Sequence, residues 1–419
     1  MSGSMAHTPK EVVVLGAGIV GVSTALALQL RGHAVTLVDR KMPGLETSYG
    51  NAGIIQREAV RPYAFPRDIG TLLCVATGRS NDAHYHMEAL WRLGPRLFSY
   101  WRSSAPASYA AIVPAYSRLI EQCIDEHAFW IEQAGAGELV RREGWRQIYR
   151  SRRAFDAAAS EATDVASAHG LGCSVLGGDA LASAEPALQR TLAGAIHWTD
   201  PWSVRDPGEL VARYARLFVR RGGRFALGDA MTLRPVGAGW SVDAEGGPVQ
   251  AEDAVVALGP WADALLRTLE YRLPLFIKRG YHRHYEGDAG LRLPMLDVER
   301  GVMLAPMSRG LRLTTGAEFA RQDAAATPVQ LGRAEQSTRE LVPLGKPVEA
   351  APWLGSRPCT VDMKPVLGAA PRHKGLWFNF GHAHQGFTLG PVTGRLVAEL
   401  ISGEPPFIDP APYLARRFG

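Results

Sequence analysis

The chain has 419 residues, enough for two domains with a core each, and its 46% hydrophobic and 21% charged composition excludes a predominantly disordered protein. The net charge of +5 comes from scattered basic residues with no stripe, which argues against nucleic-acid binding and leaves only a mild preference for anionic partners. Four cysteines without a C-x-x-C spacing argue against a zinc or dithiol site, the opening MSGSMAHTPK lacks the apolar core of a secretion signal, and no apolar run reaches membrane-spanning length, so a cytoplasmic location is expected.

Residues 11–40 read EVVVLGAGIVGVSTALALQLRGHAVTLVDR. The run Val12, Val13, Val14 and Leu15 predicts a strand buried on both faces. It enters Gly16-Ala17-Gly18-Ile19-Val20-Gly21, followed by an Ala/Leu-rich helix to Arg31, a cap at Gly32, and a second strand ending in Asp39 with Arg40 beside it. The spacing is that of a dinucleotide fold: Gly16 permits a tight turn, Gly18 lets a pyrophosphate approach, and Gly21 lets helix pack on strand. The helix start at Ile19 offers unpaired N–H groups and a positive dipole end to that pyrophosphate. Asp39, about 20 residues beyond the first glycine, is placed to accept hydrogen bonds from an adenosine ribose. Arg40 beside it keeps an NADP-type ligand open as a rival.

Further along, the cluster Glu46-Thr47-Ser48-Tyr49-Gly50-Asn51-Ala52-Gly53, with Ile54 after it, suggests more backbone brought near the cofactor, against a plain surface loop as the alternative. An apolar piece at residues 69–76 reads as core or as a dip into a bilayer surface. Residues 114–134 are expected to be helical, 139–150 to contain a strand, and 152–169 a helix. Asp206-Pro207 opens an amphipathic helix to Arg221, and a short strand over 224–227 resumes the nucleotide unit. The strand over 254–258 contains Ala257 and breaks at Gly259-Pro260-Trp261, which looks like another edge facing the cofactor. Residues 274–317 alternate as several antiparallel strands, and 328–343 are expected to be helical. Finally Leu376 to Phe380 forms a strand into Gly381-His382-Ala383-His384-Gln385-Gly386, with Phe387 and a helix from about Thr388.

This ordered set, with Gly355-Ser356-Arg357-Pro358 and Asp362, resembles the D-amino-acid oxidase family of flavoproteins over nearly the whole chain, and within it the small-subunit type of D-amino-acid dehydrogenase. The resemblance implies an α/β protein in which a Rossmann-type FAD-binding domain (residues 8–60, 203–268 and 352–415) is interleaved with a substrate-binding domain (61–202 and 269–351) built on a mostly antiparallel sheet with flanking helices. It also implies non-covalent FAD and oxidation of a C–N bond next to a carboxylate. The 383–386 turn departs from the Gly-Thr-Leu-Gly common in relatives, and the loop from Tyr49 to Gln56 varies among them, so the substrate stays open.

For such chemistry the flavin is the electron sink and the protein binds, orients and stabilises charge. Arg357 is the expected carboxylate clamp, because a guanidinium pairs bidentately where Lys cannot; its alternative is an ion pair with Asp362. Tyr281, or less directly Tyr285, is expected to give a second hydrogen bond. Hydride would pass from the substrate Cα to flavin N5, with His382 or His384 helping to remove the amine proton, or instead bonding the flavin or sitting in the core. Tyr49 joins this catalytic set. The helix near Thr388 would aim its dipole at the N1/O2 side of the ring, with Gly381, Gln385 and Gly386 close to it. His382-x-His384 has no third ligand at obvious spacing, so no metal is expected. Three rivals remain: a secondary amino acid as substrate (a hydroxy-D-proline, sarcosine or an opine), an NAD(P) enzyme, and a non-catalytic FAD-holding subunit. The resemblance favours a quinone or carrier as electron acceptor, peripheral attachment to the inner face of the cytoplasmic membrane through residues 62–79, and leaves a homo- or hetero-oligomer open.

Overall fold

The computed structural model describes residues 8–76, 81 and 83–419; residues 77–79 of the expected membrane-facing stretch lie outside the described residues. The strand Glu11–Leu15 is the centre of an eight-stranded sheet. Val12 to Leu15 are at most 1% exposed, as a strand covered on both faces requires. Ala34–Asp39 and then Arg224–Val236 lie parallel on one side of it, Asp253–Val256 and then Leu376–Phe380 parallel on the other. Chain order therefore reverses at Glu11–Leu15, and the crevice at the carboxyl ends there is where such sheets bind ligands.

Helix Ile19–Leu30 follows the glycine turn and packs between this sheet and the late helix Gly386–Ser402. Two glycines of the late helix allow the approach: a Cβ on Gly390 would stand 3.0 Å from Ile19, and one on Gly394 2.8 Å from the Thr24 nitrogen. The helix Pro207–Arg220 starts as expected, with the Asp206 carboxylate accepting the Glu209 N–H at 3.0 Å and proline in the first turn.

A second, mostly antiparallel sheet is built around Leu275–Tyr285. Gly310–Thr314 pairs with that strand and forms a hairpin with Val302–Met307, and both fall within the alternating region read from the sequence. Trp145–Tyr149, Gly194–Trp198 and Cys173–Gly177 extend it. Three features differ from expectation. The strand expected over 224–227 runs on to Val236, pairing first with Ala34–Asp39 and then antiparallel with Gly239–Ala244. The helix expected over 114–134 is two helices, Pro106–Glu121 and Cys123–Ala134, broken at Gln122. Trp353–Thr360, which lies in the segment assigned to the FAD domain, pairs along its whole length with residues 275–282 of the second sheet. The chain returns to the first sheet only at Val366–Ala369.

Candidate active site

A cleft with about 1550 Å³ of empty space, its open mouth included, runs along the carboxyl ends of the parallel strands and ends against the second sheet. The glycine turn forms its floor. Gly16 has φ +105°, and a Cβ there would meet the Ala257 carbonyl oxygen at 2.5 Å. A Cβ on Gly21 would meet the Gly16 oxygen at 1.7 Å, so neither position admits a side chain. The Asp39 carboxylate accepts the Ala17 N–H at 2.6 Å and the Lys41 N–H at 3.0 Å, fastening the turn to the end of its own strand. Burial raises the Asp39 pKa above the ordinary carboxylate value, while those two N–H groups oppose the rise. Arg40 lies 4.3 Å over the Trp261 ring and pairs with Glu46, making a strut at the rim.

The Gly18, Ile19 and Val20 end of the helix also faces the cleft, without a capping side chain at Gly18. The second small-residue cluster is indeed brought here: Ser48 accepts the Ile19 N–H at 2.9 Å, and Thr47 donates to the Ser356 carbonyl at 3.2 Å. Asn51, Ala257, Gly259, Gly386 and Phe387 complete this part of the wall. Other residues expected at the cofactor stand behind it. Gly53, at φ +72°, donates to the Asn51 side chain, with Ala52 between them and Ile54 in a small strand paired to Ser203. Thr388 accepts the Gln56 N–H at 3.2 Å, and Gly381 turns the chain at φ +84°. A dinucleotide fits this wall: the glycine turn leaves no room for side chains, Gly18 puts no side chain over the helix start, and Asn379 Oδ1 and Thr314 Oγ1 are buried on the cleft wall without partners among the described residues.

At the second sheet, Arg357 enters the cleft. Among the described residues its guanidinium donates only to main-chain carbonyls, Gly316 at 3.2 Å, Thr315 at 3.4 Å and Arg279 at 3.5 Å. The alternative ion pair does not form, because Asp362 is held by Arg417 at 2.8 and 3.1 Å. Among the described residues Arg357 has no carboxylate partner, and burial lowers its pKa. It lies flat across Gly280, where a Cβ would stand 2.7–2.9 Å from the guanidinium atoms. Trp353 lies across Gly355 in the same way.

Tyr281 contributes to the wall, but its hydroxyl is otherwise engaged. It donates to Glu318 at 3.0 Å and accepts the Thr327 N–H at 2.7 Å. Strand alternation is the reason: residues 278, 280 and 282 share the face of Arg357, while Arg279 and Tyr281 project to the other, where the fully buried Arg279–Glu318 pair sits. Tyr285 is likewise taken, by Glu335. Tyr49 stands behind the cleft wall and accepts a hydrogen bond from Arg309 at 2.7 Å.

The two histidines divide. His382 is buried and bonds Thr393 Oγ1 of the late helix at 3.0 Å, with burial pushing its pKa down to about 3. His384 opens on the cleft, its Nε2 3.2 Å from Gln385 Nε2 and its ring edge-on to Tyr63. Burial, then the charges of Arg357 and Lys278, push His384 to about 3. Both rings are therefore uncharged at neutral pH. Gln385 links His384 through Gln56 to Glu58. By distance alone His84, His86 and Glu318 could hold an ion, but Glu318 is already committed to Arg279 and Tyr281.

Sequence reasoning missed Lys278, Gly280 and Trp353. The signal that could have found Lys278 and Gly280 is the period of two along FIKRGYHRHY, once Gly280 is placed at the cleft.

The fold and cleft define a dinucleotide-dependent enzyme of two interleaved parts, with a guanidinium where the parts meet. A family model of the DAO type, described as FAD-dependent oxidoreductase, matches residues 11–400, and the chain belongs to that family. It is 30% identical to a D-amino acid dehydrogenase of Cereibacter sphaeroides, over 97% of this chain and 95% of that one. It is also 30% identical to a D-amino-acid oxidase of Bradyrhizobium diazoefficiens, over 98% and 99%. Among solved structures, glycine oxidase from Geobacillus kaustophilus shares the fold with a TM-score of 0.72 at 22% identity, covering 98% of this chain and 99% of that one. No helix among the described residues is long and apolar enough to cross a membrane.

Proposed function

We propose that this FAD-dependent oxidoreductase dehydrogenates a D-amino acid to its imino acid, which water hydrolyses to a 2-oxo acid and ammonia. The observation that carries the reading is the Arg357 guanidinium, unpaired by any described carboxylate and laid across Gly280 at the end of the dinucleotide cleft. The 30% identity to D-amino acid dehydrogenases supports the substrate class. FAD, held non-covalently by the glycine turn, the helix start and the Ser48 and Ala257 segments, supplies a two-electron acceptor when bound.

The residues of the chain do the rest. Arg357 binds the α-carboxylate in a setting poor in water, where a bidentate pair is strong. The Arg357 charge disfavours a protonated amine nearby, and His384 is itself uncharged. The amine is thereby kept with its lone pair free to push as the Cα–H bond breaks. Arg357 fixes the acid group and not the substitution of the nitrogen, so hydroxy-D-proline, sarcosine and an opine belong in the same substrate panel. Electrons then leave to a quinone or carrier. Exposed Ile69, Trp91 and Phe98 beside Arg67 and Arg92 support contact with an anionic bilayer, tested by sedimentation with anionic vesicles; a chain left in the supernatant would remove that contact. The main test is anaerobic bleaching of the flavin by the panel. Failure of every amino acid and imino acid to bleach it would overturn the reading.

A further inference from the structure

Beside the main cleft lies a second, smaller chamber with about 380 Å³ of empty space, its opening included, which shares Arg357, Ala383 and His384 with it. Tyr63, Tyr100, Tyr116 and Phe276 give it aromatic walls, and Lys278 adds a cation to that of Arg357. Lys278 and Arg357 are direct cross-strand partners, so their side chains leave the sheet side by side on one face. Lys278 Nζ lies 3.2 Å from the Tyr100 hydroxyl and 4.5 Å from the centre of that ring. The hydroxyl itself donates to the Tyr63 carbonyl, which fixes the ring. No carboxylate lines the chamber among the described residues. Burial, with the Arg357 charge working the same way, lowers the Lys278 pKa.

Two adjacent cations in an aromatic enclosure repel one another and have given up hydration, costs that an entering anion offsets. One α-carboxylate satisfies the Arg357 fork and leaves Lys278, held only by the Tyr100 hydroxyl and aromatic rings, without an anionic partner among the described residues. We propose that the chamber receives a second acid group of the substrate, so that Arg357 holds the α-carboxylate and Lys278 a carboxylate at the end of a short side chain or N-substituent. The preferred substrates are then dicarboxylic amino acids. This rests on Arg357 being the carboxylate clamp.

The test uses the FAD-loaded protein titrated with glutarate and with pentanoate, two five-carbon acids that differ in the second carboxylate, followed by the visible flavin spectrum. Glutarate is expected to bind about ten-fold more tightly. In Lys278→Met and Lys278→Gln the two acids should bind within about two-fold of each other, with pentanoate unchanged. Equal binding in the wild type, or both acids weakened together by the substitutions, would overturn the second acid site and leave the clamp standing. No binding of either acid would instead remove the clamp and this inference with it. Flavin reduction by D-glutamate against iminodiacetate then separates side chain from N-substituent. Reduction by neither, while D-norvaline reduces the flavin, would also overturn the proposal.

Discussion

Gly280→Ala separates the clamp from the fold. The glycine sits in the strand Leu275–Tyr285 with no positive φ, so alanine is conformationally acceptable there. Its Cβ would lie 2.7 Å from Arg357 Nη2, and ordinary contact begins near 3.4 Å, so the guanidinium must move by the difference, 0.7 Å. The atoms it meets are the free end of a flexible side chain, and removing a strand glycine restricts the unfolded chain. Stability should therefore hold or rise by about 0.5 kcal/mol. A misplacement approaching 1 Å in a positioning group costs up to about 100-fold, so kcat/KM should fall about 10- to 100-fold, or roughly 1.4–2.8 kcal/mol. The loss should appear mostly in the dissociation constant read from anaerobic flavin reduction, with FAD content and Tm as wild type. Unchanged substrate affinity in a folded, yellow Gly280→Ala protein would refute the placement of the carboxylate on Arg357.

Arg357→Ala should retain FAD and lose about 2–5 kcal/mol in kcat/KM, checked by steady-state kinetics with a dye acceptor. Gly21→Ala puts a Cβ 1.7 Å from the Gly16 oxygen, so it should release FAD on dialysis and destabilise the fold by about 1–3 kcal/mol, read by thermal unfolding. Glu58 is buried, accepting hydrogen bonds from Gln56 and the Trp145 indole, and burial pushes its carboxyl up from 4.5 to about 7. A raised folded pKa favours the protonated form, so this stability is complete below pH 4.5 and lost as pH rises through about 7. The difference of 2.5 units sets an upper bound of about 3 kcal/mol. Glu58→Gln should flatten that decline in denaturant melts across pH 5–8, and an unchanged profile would assign it to another group.

What was legible in the sequence was what depends on neighbours along the chain. The turn at Gly16 and Gly21 excludes side chains whatever the rest of the protein does, and the capped helix at Asp206 is equally local. The Thr47-Ser48 cluster was tied to the cofactor by its small residues and its place just behind the nucleotide strand, and the structure brings Ser48 to the helix start. Partners set by long-range pairing were not legible. Trp353–Thr360 falls in the 352–415 segment expected to belong with the FAD-binding part, yet it joins the other sheet, and that register places Arg357 beside Lys278. Tyr281 was one residue off: in a strand, neighbours face opposite sides, and its side of the sheet carries the buried Arg279–Glu318 pair.

Rapid anaerobic mixing of the yellow protein with a series of D-amino acids, beside an Arg357→Met variant of equal FAD content, is the most direct measurement. Bleaching of the visible flavin bands is expected in the wild type, with half-saturation at least ten-fold higher in the variant. A flavin that stays oxidised with every member of the series, or a variant that saturates at the same concentration as the wild type, would contradict it.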